Sequence, residues 1–396
     1  MDFTKVTAYL DSLKEKYGVR CLDIRITKEH EEIYRHLTGT SDFEDTVPLT
    51  EHNIHDVFSA SKVLTMTAVM QLVEQEKIRL QDDLSEYLPE FADMKVLSDF
   101  DIAEYIASMK WAVGGWPDET WPCERAKNRI AIEHMMSMTA GFSYNLGSKH
   151  VRKLLQENPH ATTKEIVREF AKSPLFFEPG TRYCYSYAHD ILAAVVETVT
   201  GMKFSDYMRK YVFDPVGAKD IWYQIPESEK SRLTVLYATD FKTGKVAPSV
   251  VNTARINDTY ESGGAGICTT VESYSKIIDA LANGGVAASG TQILKPESIL
   301  EMSRNRLNER QLKDFHLGGT KLEYGYGLGV RTLLDPSKSK SPLGEFGWDG
   351  AAGAYVLIDP KSRLSLFYVE AAADTGVAFS TIHPTLRDLV YEALEV

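Results

Sequence analysis

The chain has 396 residues, of which 43% are hydrophobic and 25% are charged, as in ordinary globular proteins with a packed core. Its formal net charge of −12 argues against nucleic acid or an anionic membrane surface as the main partner. The N-terminal segment is polar and amphipathic, unlike a signal peptide, and no run reaches the roughly 18 apolar residues of a membrane span. The four cysteines form no CxxC pair, so we expect reduced thiols and a cytoplasmic protein.

Strand-like segments lie towards both ends of the chain. Residues 20–27 and 32–37 flank a polar turn, which predicts a β-hairpin. Residues 62–74 are strongly apolar and rich in helix formers, which predicts a buried helix. Further helices are expected at 130–138, 164–172, 189–199, 204–212, 271–283 and 296–305. Strands are expected at 324–334, 354–360 and 363–372, and a last helix at about 384–395.

This order of elements predicts an α/β (α+β) fold. The N- and C-terminal strands would form one antiparallel sheet flanked by the terminal helices, with a large, mostly helical insertion against one edge. We therefore expect a sheet domain made of 1–75 and 321–396 and a helical domain made of 76–320. The active site is expected where the two domains meet.

Ser59 and Lys62 form an SxxK tetrad at the start of the predicted buried helix. Residues i and i+3 share one face of a helix, so the Lys62 amine can reach the Ser59 hydroxyl. A serine hydroxyl becomes a good nucleophile when a base takes its proton. Burial and the positive end of the helix would both disfavour the ammonium form and let Lys62 act as that base. Two further SxxK matches, at 273–276 and 337–340, do not precede a buried helix and are set aside.

The sequence around Ser59 resembles the serine β-lactamase and penicillin-binding-protein superfamily. The resemblance runs through VFSASKVLTMTAVMQLVEQEKIRLQDDLSEYLPEF (57–91), IAIEHMMSMTAGFSY (130–144), EPGTRYCYSYAHDILAAVVETVTG (178–201), ESGGAGICTTVESYSKIIDALANGG (261–285), EYGYGLGV (323–330) and EFGWDGAAGAYVLIDP (345–360). It is most similar to the class C β-lactamase-like group, and within it to the family VIII-type esterase and transesterase branch. It extends from about residue 20 to 395 and implies a β-lactamase/transpeptidase-like fold and a serine acyl hydrolase.

The resemblance implies a role for each matching residue. Ser59 matches the nucleophile and Lys62 matches its general base. Tyr185 matches the tyrosine of the second motif, which could deprotonate the serine as a phenolate-like base or protonate the leaving group. Tyr183 and Tyr187 lie in the same segment and are alternatives for this tyrosine.

The third motif departs from the β-lactamase pattern. Trp348, Asp349 and Gly350 stand where β-lactamases and peptidoglycan peptidases typically carry Lys-Thr-Gly or His-x-Gly. A lysine there helps to anchor a substrate carboxylate, whereas Trp348 offers an apolar wall and one N–H donor. The backbone N–H groups of Ser59 and Ala351 would form the oxyanion hole, and Gly350 would allow the substrate to approach closely. A literal Lys-Thr-Gly at 242–244 reads as a surface turn.

These departures favour a small ester or amide substrate over a penicillin. Tyr187 also stands where β-lactamases usually carry asparagine, so we predict substrate contacts from Tyr187, Trp348, Asp349 and Gly350. The leading interpretation is a cytoplasmic carboxylesterase that forms an acyl-enzyme on Ser59. The alternatives are a β-lactamase, a D-amino-acid peptidase or an acyl transferase with the same nucleophile, and a catalytically idle binding homologue.

No metal or other cofactor is expected. The histidines form no HExxH motif, and the sequence has neither a GxSxG elbow nor a phosphate-binding glycine loop. The aromatic residues at 105–125 could line an acyl pocket or simply pack in a core; they are Tyr105, Trp111, Trp116 and Trp121. The sequence does not indicate an oligomeric state.

Overall fold

The computed structural model describes residues 1–108, 115–239, 246–249, 254–373 and 376–395. The helices are α1 (Thr4–Tyr17), α2 (Ser61–Glu74), α3 (Ile102–Ala107), α4 (Ile132–Met136), α5 (Lys149–Glu157), α6 (Thr163–Phe170), α7 (Ala188–Thr200), α8 (Phe204–Met208), α9 (Val271–Ala282), α10 (Pro296–Ser303), α11 (Glu309–Phe315) and α12 (His383–Leu394). The strands are β1 (Cys21–Lys28), β2 (Glu31–Gly39), β3 (His55–Asp56), β4 (Lys95–Leu97), β5 (Cys123–Arg125), β6 (Ile221–Trp222), β7 (Tyr237–Thr239), β8 (Val246–Pro248), β9 (Cys268–Thr269), β10 (Tyr324–Tyr326), β11 (Arg331–Leu333), β12 (Phe346–Gly347), β13 (Tyr355–Asp359), β14 (Leu364–Glu370) and β15 (Ala372–Ala373).

Strands from both ends of the chain form one seven-stranded sheet, in the order β10-β11-β12-β13-β14-β1-β2. The N-terminal strand β1 pairs antiparallel with its hairpin partner β2 and with the C-terminal strand β14, where Ile24 faces Tyr368. This pairing confirms the predicted hairpin and the predicted sheet of N- and C-terminal strands. It also brings residues more than 300 positions apart in the sequence, such as Ile24 and Tyr368, into direct contact.

The two faces of the sheet carry different helices. Leu366 and Tyr368 of β14 pack in one apolar cluster with residues of α1 and α12. Successive residues of a strand point to opposite faces, and Phe367 stacks on Tyr274 of α9 with ring centroids 4.0 Å apart. Helix α9 lies within 76–320, so the region that we expected to be the helical domain supplies the helix on this face.

Residues 324–334 form the two strands β10 and β11 rather than the single strand predicted. Gly329 between them has a φ of +79°, a left-handed conformation that glycine adopts at little cost. The N–H of Gly327 donates to the carbonyl of Val330 at 2.8 Å and closes the turn. The apolar pattern continues through this turn, which is why the sequence reads as one strand.

Helix α2 is buried on all sides, as the apolar run at 62–74 predicts. Every residue from Ser61 to Leu72 is buried, and the helix packs against α7, α8 and α10. Any polar side chain near its beginning is therefore held away from water, and Lys62 is one of these side chains.

Candidate active site

Ser59 lies in the 3-10 turn Phe58–Ala60, which leads directly into α2. Phe58 has a φ of +44°, a left-handed conformation that costs a residue with a side chain roughly 1–2 kcal/mol. The N–H of Ala60 donates to the carbonyl of Val57 at 3.1 Å and closes the turn. Ser59 is partly exposed while its neighbour Ala60 is buried, so the turn presents the hydroxyl at the edge of the core.

Lys62 is the buried amine of the site. Its Nζ atom lies 3.3 Å from the Ser59 hydroxyl oxygen, 2.7 Å from the Gly264 carbonyl oxygen and 3.3 Å from the Tyr144 hydroxyl oxygen. Burial lowers the pKa of this amine to about 7, although the carboxylate of Asp190 acts in the opposite direction. A large fraction of Lys62 is therefore neutral near pH 7, as the role of a base requires.

Tyr144 and Tyr185 form a stacked pair above this amine. Their ring centroids are 5.4 Å apart with planes 11° from parallel, and Lys62 Nζ lies 5.3 Å and 4.6 Å from the two centroids. The Ser59 hydroxyl acts to lower the pKa of both phenols, but burial outweighs it and raises the pKa of each. Both therefore stay protonated near neutral pH and are proton donors, which does not support the phenolate-like base considered for Tyr185.

Tyr144 was not among the residues predicted for the site. It ends the 130–144 segment that resembles the superfamily, directly after the glycine-containing turn Thr139 to Phe142. Its place in this matching segment is the sequence feature that could have indicated a role for Tyr144 in the site. Its contact with Lys62 depends on how the segment folds back onto α2, which the sequence alone does not give.

Of the three neighbouring tyrosines, Tyr185 is the one whose ring lies over Lys62 Nζ, at 4.6 Å, and whose pKa is influenced by the Ser59 hydroxyl. Tyr183 is buried in the apolar core. The Tyr187 ring is 2% exposed and stacks on Phe170 with centroids 4.2 Å apart. Tyr187 is therefore packed as a core residue. This packing does not support the substrate contact that we predicted for Tyr187.

Trp348 forms the wall of the site beside Tyr185. Its indole N–H donates to the Tyr185 hydroxyl at 3.1 Å, and the two rings stack with centroids 5.6 Å apart. The N–H donor that we had assigned to the substrate is thus engaged within the protein. Trp348 instead fixes the position of the Tyr185 hydroxyl.

Asp349 points away from this wall. Its two oxygens lie 3.0 Å from Arg331 Nη1 and 2.6 Å from Lys321 Nζ, and the side chain is 6% exposed. Burial alone would raise the pKa of this carboxyl, but Lys321 and Arg331 outweigh burial and hold it at about 2. The carboxylate of Asp349 is engaged in a buried ion-pair cluster, and its predicted contact with a substrate stays a prediction.

Gly350 brings the third motif against the turn that carries Ser59. A Cβ atom added at Gly350 would lie 2.2 Å from the carbonyl oxygen of Val57, so the two backbones touch at a position where a side chain has no room. The next residue, Ala351, is exposed. The assignment of the Ala351 and Ser59 N–H groups to an oxyanion hole stays a prediction.

A family model for β-lactamases matches residues 6–381. The chain belongs to the β-lactamase family. The predicted resemblance, the fold and the serine hydrolase class of enzyme are thereby confirmed.

Relatives in this family include esterases. The chain is 24% identical over 428 residues to "Esterase EstB" of Burkholderia gladioli, which covers 99% of this chain and 96% of that protein. It is 26% identical over 326 residues to "Lovastatin esterase" of Penicillium rubens, which covers 77% of this chain and 76% of that one.

Solved structures with the same fold include "EstCE1, a hydrolase with promiscuous acyltransferase activity", with a TM-score of 0.77, 22% identity and coverage of 98% and 97% of the two chains. Unliganded simvastatin synthase from Aspergillus terreus has a TM-score of 0.78 at 18% identity, with 99% and 98% coverage. A family VIII carboxylesterase has a TM-score of 0.75 at 20% identity, with 99% and 97% coverage. At these identities the likeness establishes the fold.

Neither of the other two SxxK sequences forms a comparable pair. The Ser273 hydroxyl accepts from the backbone N–H of Asp220, and Lys276 pairs with Glu272 on the surface. The exposed Ser337 hydroxyl donates to Asp335. Of the three SxxK sequences, the one at Ser59 combines a buried lysine with a partly exposed serine.

The predicted aromatic rim is a separate cluster. Tyr105 and Trp116 pack with Phe100 and Phe176, while Trp111 and the Lys-Thr-Gly sequence at 242–244 lie outside the described residues. Among the described residues, no group of three or more histidine, cysteine and acidic side chains could hold a metal ion. No helix in the same ranges is long and apolar enough to cross a membrane.

Proposed function

We propose that this protein is a carboxylesterase that cleaves a small ester through an acyl-enzyme on Ser59. The observation that carries the proposal is the fully buried Lys62 amine, 3.3 Å from the Ser59 hydroxyl oxygen, with its pKa lowered to about 7. A neutral amine at this distance can accept the serine proton during attack on a carbonyl carbon.

In the first step, the Ser59 oxygen bonds to the ester carbonyl carbon while its proton passes to Lys62. The carbonyl oxygen becomes an oxyanion, which the backbone N–H groups of Ser59 and Ala351 would stabilise. Each such donor contributes roughly 3–4 kcal/mol to lowering the barrier. The close approach of Gly350 to the Ser59 turn supports this assignment.

In the second step, the bond from the carbonyl carbon to the alcohol oxygen breaks and the alcohol leaves with a proton. Tyr185 is a suitable donor because burial keeps its phenol protonated, and Lys62 can then return a proton to it. Water attacks the acyl-enzyme by the same route in reverse, with Lys62 again as the base. The acid product leaves and Ser59 regains its proton.

The third motif supports an ester over a penicillin. Trp348 replaces the lysine that would anchor a substrate carboxylate. Lys321 lies 5.8 Å from the Trp348 ring, but it lines a different cavity together with Asp349, with which it pairs at 2.6 Å. The wall facing Tyr185 is thus aromatic and suits a neutral acyl group.

The proposal is tested by comparing the wild type with Ser59→Ala on p-nitrophenyl acetate and butyrate and on a chromogenic cephalosporin. We expect the esters to be turned over and Ser59→Ala to lose at least about 1,000-fold in kcat/KM. Ser337→Ala is the matched control, because it removes the serine of an exposed SxxK sequence and is expected to retain full activity.

Three results would contradict the proposal. Cephalosporin turnover without ester turnover would make the protein a β-lactamase. Labelling of a serine other than Ser59 by a fluorophosphonate would move the nucleophile. Folded wild-type protein that is inactive on every substrate and unlabelled by the probe would support a binding homologue.

The pH dependence of kcat/KM follows from the lowered pKa of Lys62. Because the base must be neutral, we expect kcat/KM for p-nitrophenyl acetate to rise about tenfold per pH unit below the pKa of about 7 and to level off above it. Initial rates at low substrate concentration between pH 5 and 9 would measure this curve. A flat profile, or one that is still rising at pH 9, would show that a group other than a lysine with a lowered pKa limits the reaction.

Gly264 holds the loop that closes the site behind Lys62. A Cβ atom added there would lie 2.6 Å from the Asp190 carboxylate and 3.3 Å from Lys62 Nζ. We expect Gly264→Ala to displace the carbonyl that binds the amine and to lower kcat/KM by roughly 10–100-fold, within the range that general-base catalysis contributes. Gly318→Ala is the control, since an added Cβ there meets nothing within 4 Å. Equal activity of the two variants would contradict this role of the loop.

A further inference from the structure

A cavity lies behind the third motif. It has a volume of about 260 Å³ and is bounded by the loop before β10, by β11 and by the beginning of α12. Trp348 and Asp349 are successive residues, and their side chains point in opposite directions. Trp348 contacts Tyr185 of the candidate active site, whereas Asp349 lines this cavity.

The lining has an excess of positive charge in a chain whose net charge is −12. Four cationic and two anionic side chains face the cavity: Lys321, Arg331, Lys338, Arg387, Glu323 and Asp349. Arg331 is also paired with Glu345 and Arg387 with Asp388, outside the lining, so Lys321 and Lys338 are the cations that an anionic ligand would meet.

Lys321 provides unused hydrogen-bond capacity. An ammonium group has three N–H donors, and the described hydrogen bonds and ion pairs of Lys321 Nζ comprise one carboxylate, that of Asp349 at 2.6 Å. Its side chain is 16% exposed, so it is oriented by its surroundings while still reaching the cavity. An acidic group in the cavity would accept the remaining donors.

His383 supplies a buried acceptor with no partner. Its Nε2 atom lies 3.2 Å from the Gly353 carbonyl, and because a carbonyl only accepts, Nε2 carries the proton. Burial lowers the pKa of His383 to about 4, so the ring is neutral and Nδ1 is an acceptor. This atom has no hydrogen-bond partner among the described residues; it lies 3.8 Å from Asp349 Oδ1, which is itself an acceptor, and the side chain is 3% exposed. A ligand that brings a hydroxyl donor to Nδ1 would satisfy it.

We propose that this cavity binds a small hydroxycarboxylate anion, with its carboxylates on Lys321 and Lys338 and its hydroxyl on His383. At about 30 Å³ per non-hydrogen atom, the cavity has room for roughly nine such atoms. Malate has this size, two carboxylates and one hydroxyl. Succinate has the same carboxylates and lacks the hydroxyl, which makes it the matched ligand for testing the role of His383.

The test is titration calorimetry of the full chain with malate and with succinate. We expect malate to bind at least tenfold more tightly than succinate. Lys321→Met and the exposed variant Lys338→Met are each expected to weaken malate binding by at least fivefold, while Lys361→Met, in the turn between β13 and β14, leaves it unchanged. Since Lys338 is exposed, its variant gives a result even if Lys321→Met does not fold.

Binding should also be independent of the catalytic serine. Protein labelled on Ser59 with a fluorophosphonate should bind malate with the same affinity as the unlabelled wild type. If no label attaches, the Ser59→Ala variant takes its place. This test therefore gives a result even if the protein has no esterase activity. Loss of malate binding on labelling would place the ligand in the candidate active site and overturn the proposal. Equal affinity for malate and succinate, unchanged affinity in Lys338→Met, or no binding of either acid would also overturn it.

Discussion

Replacing Lys62 by methionine is expected to remove esterase activity and at the same time to stabilise the protein. A general base contributes roughly 100- to 10,000-fold to a reaction rate, so kcat/KM for a p-nitrophenyl ester should fall by at least about 1,000-fold at pH 8. Methionine has a similar length and no charge, so it fits the same buried space. The two effects have opposite signs because the amine that serves catalysis is costly to bury.

The gain in stability should depend on pH. The pKa of Lys62 is lowered to about 7 in the folded protein and is about 10.4 in an unfolded chain. Between these two values the unfolded wild type binds more protons than the folded one, so its stability rises with pH in this window. The advantage of Lys62→Met in unfolding free energy should therefore be largest at pH 7 and below and should fall by up to about 1.4 kcal/mol per pH unit as the pH rises towards 10.

Urea unfolding at pH 6.5 and 9.5, together with ester kinetics, measures both effects. Lys276→Met is the matched control, because Lys276 belongs to another SxxK sequence but pairs with Glu272 at the surface. It is expected to leave activity unchanged and to alter the unfolding free energy by less than about 0.5 kcal/mol. Retained activity in Lys62→Met would refute the proposed base.

The fold could be predicted to the extent that its patterns are local. The β1–β2 hairpin and helix α2 each follow from the polarity of one continuous segment, and both are confirmed. The packing of α9 on the sheet could not be predicted, because its own sequence shows only that one face is apolar. Which surface covers that face is decided by Phe367, about 90 residues further along, which stacks on Tyr274.

The same distinction applies to the candidate site. Ser59, in the 3-10 turn, and Lys62, in the first turn of α2, are three residues apart along one continuous helical stretch, so their contact follows from helical geometry. Tyr185 was predicted through resemblance to a known family. The contact of Tyr144 with Lys62 and the ion pairs of Asp349 were not predicted, because each depends on partners that only the folded chain brings near.

Replacing Arg331 by methionine is expected to have the largest effect on stability. The guanidinium is 1% exposed and lies 3.0 Å from Asp349 and 3.3 Å from Glu345. It also donates to the carbonyl of Val356 and lies between the rings of two tyrosines, Tyr324 and Tyr355. Removing it would leave the Glu345 carboxylate without this partner and would leave Asp349 with Lys321 alone. Breaking a buried ion pair in this way costs roughly 3–5 kcal/mol of unfolding free energy.

The activity of Arg331→Met should fall as well, because the ion pair between Arg331 and Asp349 holds the third motif in position. Asp349 lies between Trp348, which fixes the Tyr185 hydroxyl, and Gly350, which touches the turn of Ser59. If Asp349 loses one of its two cationic partners, both neighbours can shift, and displacements of about 1 Å cost on the order of 100-fold in rate. We therefore expect the folded fraction of Arg331→Met to label at Ser59 with a fluorophosphonate at least tenfold more slowly than the wild type.

Urea unfolding and the rate of Ser59 labelling together separate anchoring from simple loss of folded protein. Arg363→Met is the control, because Arg363 is 63% exposed and lies 3.9 Å from Glu29, so both quantities should stay near their wild-type values. Adding Glu345→Gln to Arg331→Met removes the buried carboxylate that has lost its cationic partner and should restore about 1–3 kcal/mol of stability. It should not restore the labelling rate, because the anchor is still absent. A stable Arg331→Met variant that labels at the wild-type rate would show that the third motif keeps its position without this ion pair.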